Sequence, residues 1–300
     1  VRAVAGDVDC SDRIYFVDTA IPADRKKRRK NKTHTVFDGD KAFGVRRLTE
    51  LEDAGEVYID AMFPQIYEEL LELIEKGVRV FLLRDTRMIK RLREENGVEK
   101  SDEVDARILS IIPRNHFKQL TIRELRLLQL INMYEKYVRW KKIIRQWAAA
   151  YPQTPLEKYV RELYSIQSKL GRRIIKEVMK NENYAAIYRI VCDELGVRDS
   201  VEAAILVARL PLNWKLSRLK GLLGFTPHKN KNYNHRLRGH LSKLATTIYI
   251  NNRRHGTGAR LFESMNQTSK NKVLYMLQLR ILRILKRAWQ QRQCMLAGGQ

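Results

Sequence analysis

Residues 56–83 read EVYIDAMFPQIYEELLELIEKGVRVFLL, and this stretch decides the fold class. Val57 to Asp60 is a short β-branched and aromatic run that ends in an acid, and Val78 to Leu83 is a second apolar run of strand length. Between them, from Pro64 to Lys76, apolar residues recur at helical spacing. Strand, helix and strand in so short a span make the unit of an α/β layer fold. Upstream lie candidate strands at Arg2 to Ala5, Ile14 to Asp18 and Thr35 to Phe37, then a helical pattern at Lys41 to Glu52. Downstream come helical patterns at Thr86 to Asn96 and Ser101 to Ile111.

From Thr121 the period is helical. Leu125, Leu128, Ile131, Tyr134 and Val138 share one face of a pattern reaching about Ala150. Pro152 and Pro155 break it, and a second pattern runs from Leu156 to Met179. The pair predicts a long helical hairpin, either a stalk or dimerisation arm or an ordinary helical core. The remainder from Tyr184 is helical around one polar loop, Thr226 to Arg238, and ends in a basic helix from about Asn271 to Arg292. The expected class is α/β plus α. Residues 1–115 would form the catalytic domain, 116–183 the connector or dimerisation arm, and 184–300 a mostly helical basic domain.

The 300 residues carry a formal net charge of +24 and a sequence pI near 10.1. So large an excess of Lys and Arg points to an anionic partner, nucleic acid first. A membrane surface would call for a lipidation signal or an apolar span, and runs such as Ala203 to Ala208 are too short to cross a bilayer. A soluble, cytoplasmic protein is expected. Cys10, Cys192 and Cys294 stand far apart, which suits neither a disulfide framework nor zinc. The six histidines show no zinc spacing, although His235 and His240 are candidates for phosphate contact.

Acids mark the candidate chemistry. Asp102 and Asp105 project from one face at the start of a helical pattern, Asp60 ends a strand, and Asp7 and Asp9 follow the first candidate strand. Four carboxylates converging on one edge would suit phosphoryl transfer, which uses hard oxygen ligands to hold two Mg²⁺ ions about 3.5–4 Å apart. Taken alone, an Asp-x-x-Asp at a helix start is more often a capping or solvated feature.

The order of strands and helices resembles the RNase H-like superfamily, in which three antiparallel strands precede alternating helices and parallel strands. At the acids the likeness narrows to the insertion-sequence 110 family of transposases, whose RuvC-like domain carries a DEDD set and a block near K-T-D-x-x-D-A-R-x-L. Lys100 to Leu109 reads KSDEVDARIL. Leu219 to Pro227, LKGLLGFTP, resembles the family's "L-A-A-y-x-G-L-T-P" segment, and Arg238-Gly239-His240-Leu241-Ser242-Lys243 resembles the helix after it. The resemblance implies DNA as partner, a two-ion Mg²⁺ site on Asp7 or Asp9, Asp60, Asp102 and Asp105, and a homo-oligomer, dimer or tetramer. It also raises the prospect of a guide RNA encoded by the element.

The chain departs from the family pattern in three places. The second acid is Asp60 where the family has Glu, which shortens the reach but keeps the chemistry. The first acid is ambiguous between Asp7 and Asp9. The family's serine, thought to be the nucleophile, has no counterpart in His228 to Asn234; Asn232 stands in its place, and an amide cannot form the covalent intermediate. Ser242 is the nearest substitute, but a serine within a helix usually faces solvent or bonds backbone, so the nucleophile stays unassigned.

Two basic regions complete the reading. Arg25, Lys26, Lys27, Arg28, Arg29 and Lys30 form a run between candidate strands that suits either a phosphate track or a solvated loop. Lys220, Lys229, Lys231, Tyr233, Arg236, Arg238, Lys243, Arg253 and Arg254 mix cations with aromatic neighbours, which permits base stacking as well as phosphate contact and makes this the preferred nucleic-acid face. Trp140, Trp147, Trp214 and Trp289 are expected as core or interface anchors. Three functions fit: a recombinase that cuts and rejoins DNA, a nucleic-acid-binding descendant without activity, and a metal-dependent nuclease that uses water.

Overall fold

The computed structural model describes residues 13–21, 33–226, 233–256, 261–262 and 269–297. The chain divides into two compact units, residues 1–129 and 130–300, with the division inside one long helix.

The first unit is α/β. Its strands are β1 (Arg13–Asp18), β2 (His34–Phe37), β3 (Ala42–Val45), β4 (Ala54–Ile59), β5 (Arg79–Leu83) and β6 (Phe117–Gln119). They form a mixed sheet in the order β3-β2-β1-β4-β5-β6. β1, β2 and β3 pair antiparallel, β4 lies parallel to β1 and β5 parallel to β4, and β6 closes antiparallel on β5. The helices are α1 (Tyr67–Glu75), α2 (Arg87–Glu95) and α3 (Asp102–Ile111).

Period-two alternation sends successive side chains to opposite faces. Val17, Val57, Ile59 and Val80 pack on one face with Leu70 and Leu73 of α1. Tyr58 points to the other face, into a cluster with Ile89 of α2 and Ile108 and Leu109 of α3. There the register aligns Phe16, Tyr58 and Phe81 on three neighbouring strands. Their rings stack at 5.3 and 4.7 Å, with Phe117 edge-on to Tyr58 at 4.9 Å. Helices thus cover both faces of the sheet.

The helical pattern expected at Lys41 to Glu52 is instead β3 followed by a short 3-10 turn, Leu48–Glu50. Val45, Leu48 and Leu51 imitate helical spacing, but Asp38-Gly39-Asp40-Lys41 reverses the chain. Gly39 takes a φ of +103°, and the Asp38 carboxylate accepts from the amides of Asp40 and Lys41. The expected strand at Arg2 to Ala5 lies outside the described residues. Among the described residues the antiparallel trio begins at β1, the position read as the second strand. β6 was not anticipated.

The second unit is helical. α4 (Ile122–Ala150) begins in the first unit, where Leu125 joins the sheet core, and continues into the second. It is followed by α5 (Leu156–Lys180), α6 (Glu182–Leu195), α7 (Val201–Arg209), α8 (Leu216–Leu222), α9 (His235–His255) and α10 (Lys270–Ala297). Residues 116–183, read as one connector, are therefore shared between the two units. Between Glu135 and Lys169 no residue is buried. Trp140 and Trp147 are about half exposed there, at 48% and 53%, rather than core anchors.

The middle of α7, Ala203 to Val207, is apolar and buried throughout, as a central helix requires, with Glu202 and Arg209 only near its ends. Gly171 of α5 lies where a Cβ would come within 2.8 Å of Val201, so its absence admits close approach to α7. Asn234 caps α9 by accepting from Leu237 N, which starts the helix inside the expected 226–238 loop. In α10, Leu277, Ile281, Leu282 and Leu285 are buried. No helix among the described residues is long and apolar enough to cross a membrane.

Candidate functional site

β1 and β4 run parallel side by side, with Val17 opposite Ile59, so the next residue of each strand comes to the same edge of the sheet. Those residues are Asp18 and Asp60. The carboxyls interact directly, and burial, then repulsion from Asp60, Asp102 and Asp105, pushes Asp18 up to about 7. Burial also raises Asp60, against the hydrogen bonds it accepts. Its Oδ1 receives Thr19 N at 2.8 Å and Thr19 Oγ1 at 2.7 Å. The next amide, Ala20 N, donates to Nδ1 of buried His34 at 3.0 Å. Burial lowers His34, so it is neutral at pH 7; with Nδ1 accepting, its proton sits on Nε2, which faces Glu69 at 3.8 Å.

Across this edge stands the start of α3. Ser101 accepts from Val104 N at 3.1 Å, which fixes the first turn and places Asp102 and Asp105 within it. Carboxylates there also complement the helix dipole. Asp102 is exposed, while Asp105 is buried and raised, by burial first, against the pull of Arg93 and Lys100. Arg93 Nε of α2 lies 3.1 Å from Asp105 Oδ1. The contact is a charge pair without hydrogen-bond alignment, since neither atom has a hydrogen-bond partner.

The structure places Asp60 beside Asp18 at adjacent strand ends, and Asp102 and Asp105 in the first turn of α3, near enough for their charges to act on Asp18. Asp7 and Asp9 lie outside the described residues. The strand-end position beside Asp60 belongs to Asp18, which the reading passed over. The signal was present: Tyr15-Phe16-Val17-Asp18 has the same form as Val57-Tyr58-Ile59-Asp60, an apolar run closed by an acid. Thr19, His34 and Arg93 carry no comparable mark.

Hard cations prefer carboxylate oxygens, and a cation would relieve the repulsion that raises Asp18, so the donor chemistry here suits a divalent metal. With the side chains as they stand, no three His, Cys, Asp or Glu among the described residues are grouped so as to hold one.

The basic set of the second unit divides by use. Arg238 lies with its guanidinium 3.8 Å above the Phe225 ring and donates to Leu223 O at 3.1 Å, which braces the turn before α9. The Tyr233 ring rests on Gly224 and beside His235 at 4.0 Å. Arg253 donates to the Tyr249 hydroxyl, and Lys220 is half-buried on α8. Arg236, Lys243 and Arg254 are exposed at helical spacing along one stripe of α9, where Arg236 also pairs with Glu135 at 3.6 Å and Lys243 with Glu202 at 3.5 Å. Lys229, Lys231 and the run Arg25 to Lys30 lie outside the described residues, as does Asn232. Ser242 is half-buried within α9, and its carbonyl accepts from Thr246.

Beneath the stripe, Glu135 of α4 accepts from Arg209 at 3.0 Å and lies 3.1 Å from Nε2 of buried His240. Despite its burial, His240 and the nearby arginines hold this carboxyl below its usual range. His240 is therefore part of the internal packing rather than a surface contact. Compared with known protein families the chain matches none, and no curated protein matches its sequence.

Proposed function

We propose that the chain is a metal-dependent DNA recombinase of the kind insertion sequences of the 110 family encode. The observation that carries this reading is the pair Asp18 and Asp60 at the ends of two adjacent parallel strands, with Asp102 and Asp105, whose charges act on Asp18, on a helix across the same edge. The antiparallel trio β1-β2-β3 followed by parallel β4 and β5 supports an RNase H-like, RuvC-like assignment for the first unit. In this reading the acid set is Asp18, Asp60, Asp102 and Asp105, and Asp18 replaces Asp7 or Asp9 as the first acid.

Asp18 and Asp60 would hold Mg²⁺, with Asp102 within reach of the same edge. The bound metal would supply Lewis acidity at the scissile phosphate. The chain's own residues do the positioning. Thr19 fixes one oxygen of Asp60 with two donors. Arg236, Lys243 and Arg254 of α9 hold the DNA backbone by charge, in proportion to the phosphates they neutralise. DNA is the partner, in the cytoplasm, with a guide RNA as a further anionic ligand. The exposed helical arm, with Trp140 and Trp147, supports assembly as a dimer or tetramer.

A second reading, a nuclease that uses water, is favoured by one observation: Asn232 stands where the family has its serine. The two separate by product. The chain is expressed with its flanking DNA in a host lacking the element, and newly formed junctions are sequenced beside Asp18→Asn and Asp60→Asn controls. Joined DNA that vanishes in the controls supports recombination, and cut ends alone support the nuclease. Binding with neither product in any metal would refute catalysis and leave a nucleic-acid-binding protein.

A further inference from the structure

We propose that Arg93 is a built-in cation of the acidic site, holding Asp105 in the place of a second metal ion, so that this chain takes a single divalent cation. The inference rests on the metal-dependent reading above and revises its ion count.

Arg93 lies in the last turn of α2, and α2 packs along α3. Its Nε is 3.1 Å from Asp105 Oδ1, and the two side chains are only 15% and 11% exposed. A guanidinium does not release its proton in a protein, so the positive charge beside Asp105 is permanent. In a two-ion site every ligating acid faces metal. Here Asp105 already faces a cation from its own chain, one that water reaches poorly. The pair is also misaligned for a hydrogen bond, since Arg93 Nε and Asp105 Oδ1 are both without one. The arrangement is therefore point-charge compensation, the role a metal would play, rather than the bidentate fork of a structural Arg-carboxylate clamp. Asp18 and Asp60, on the other side of the edge, have the opposite character: two carboxylates in contact with each other. The site is divided into a half neutralised from within and a half whose two carboxylates raise each other's energy.

Removing Arg93 should convert the inner half into a second metal position. The test titrates Mn²⁺ alone into the full chain and reads free Mn²⁺ from its paramagnetic signal. Wild type and Arg93→Lys are expected to bind one ion, and Arg93→Gln two. Asp105→Asn should keep the single ion with its affinity changed less than about threefold, whereas loss of a ligand, or of an outer-shell partner that orients one, would weaken it by about tenfold or more. Two ions in the wild type, one ion in a folded Arg93→Gln, or loss of the ion in Asp105→Asn would each overturn the inference while leaving the metal site standing. No bound Mn²⁺ in the wild type would overturn the metal reading itself, and this inference with it. Should Arg93→Gln fail to fold, Asp105→Asn still decides the matter, because the neutral amide leaves Arg93 in place.

Discussion

Asp18→Asn should make the metal-free protein more stable at neutral pH, the reverse of what most substitutions at a half-buried position do. The wild-type carboxyl rises from an ordinary 3.8 to about 7 in the folded chain. An acid raised on folding carries its proton in the native state where the unfolded chain has lost it. Stability is therefore full below about pH 4 and falls as pH rises through 7. Each pH unit between the two values is worth about 1.4 kcal/mol, so the ceiling is about 4 kcal/mol. The side chain is half-buried and shares its proton with Asp60, which reduces the expected gain from substitution to about 2 kcal/mol. In melting temperature that is roughly 4–8 °C. Circular dichroism melts in EDTA across pH 4 to 8.5 read it directly. The variant should melt above the wild type at pH 8, and the two should converge near pH 4. Adding Mg²⁺ should raise the wild type alone. A variant no more stable at pH 8, or a difference unchanged with pH, would refute the placement of Asp18 against Asp60.

Other expectations follow from the second unit. Glu135→Gln should destabilise by about 2–3 kcal/mol at pH 7, because Arg209 loses its charge partner and the contact with buried His240 is altered. Since the Glu135 carboxyl is held below its usual range, its contribution is present above the unfolded value and is lost as pH falls through the folded one. Urea unfolding at pH 7 and pH 3 should show the difference shrinking in acid. Gly224→Ala should destabilise by about 2 kcal/mol or more. The residue sits at φ +70°, and the added Cβ would lie 2.8 Å from the Tyr233 ring; unchanged urea unfolding would contradict that packing. Replacing Arg236, Lys243 and Arg254 together by Gln should lower the slope of log affinity against log salt for duplex DNA by about 2–3. An unchanged slope in fluorescence-anisotropy titrations would remove the α9 stripe from the interface.

Local signals in the sequence were enough for some elements and not for others. Strand β4, helix α1 and strand β5 are legible because alternation and helical period switch cleanly between Val57 and Leu83. α3 is legible from Ser101 and the acids after it, and the long helices from sustained periodicity. β3 is hidden because Val45, Leu48 and Leu51 fit a helical face, while the Asp38-Gly39 turn that decides otherwise occupies only a few residues. The acids divide in the same way. Asp60 is marked by its strand, but the choice between Asp7, Asp9 and Asp18 depends on which strand pairs with β4, and that register is a tertiary fact. Arg93 is one basic residue among many on α2 until the packing of α2 on α3 brings it to Asp105. The split of the basic set is likewise invisible beforehand, since Arg238 and Arg236 differ only in which way α9 turns them.

The half-exposed tryptophans of the α4–α5 arm make the chain's own fluorescence an unusual reporter. Two of its four indoles, Trp140 and Trp147, are wetted in the native state, while Trp214 lies under the Arg218 guanidinium at 3.7 Å and Trp289 under Lys286 at 4.3 Å. Emission is therefore red-shifted before unfolding begins, and denaturation curves followed by intrinsic fluorescence will understate the loss of the sheet unit, which contains no tryptophan. The same property makes the signal useful: a blue shift on raising protein concentration or adding DNA would come chiefly from the arm being covered.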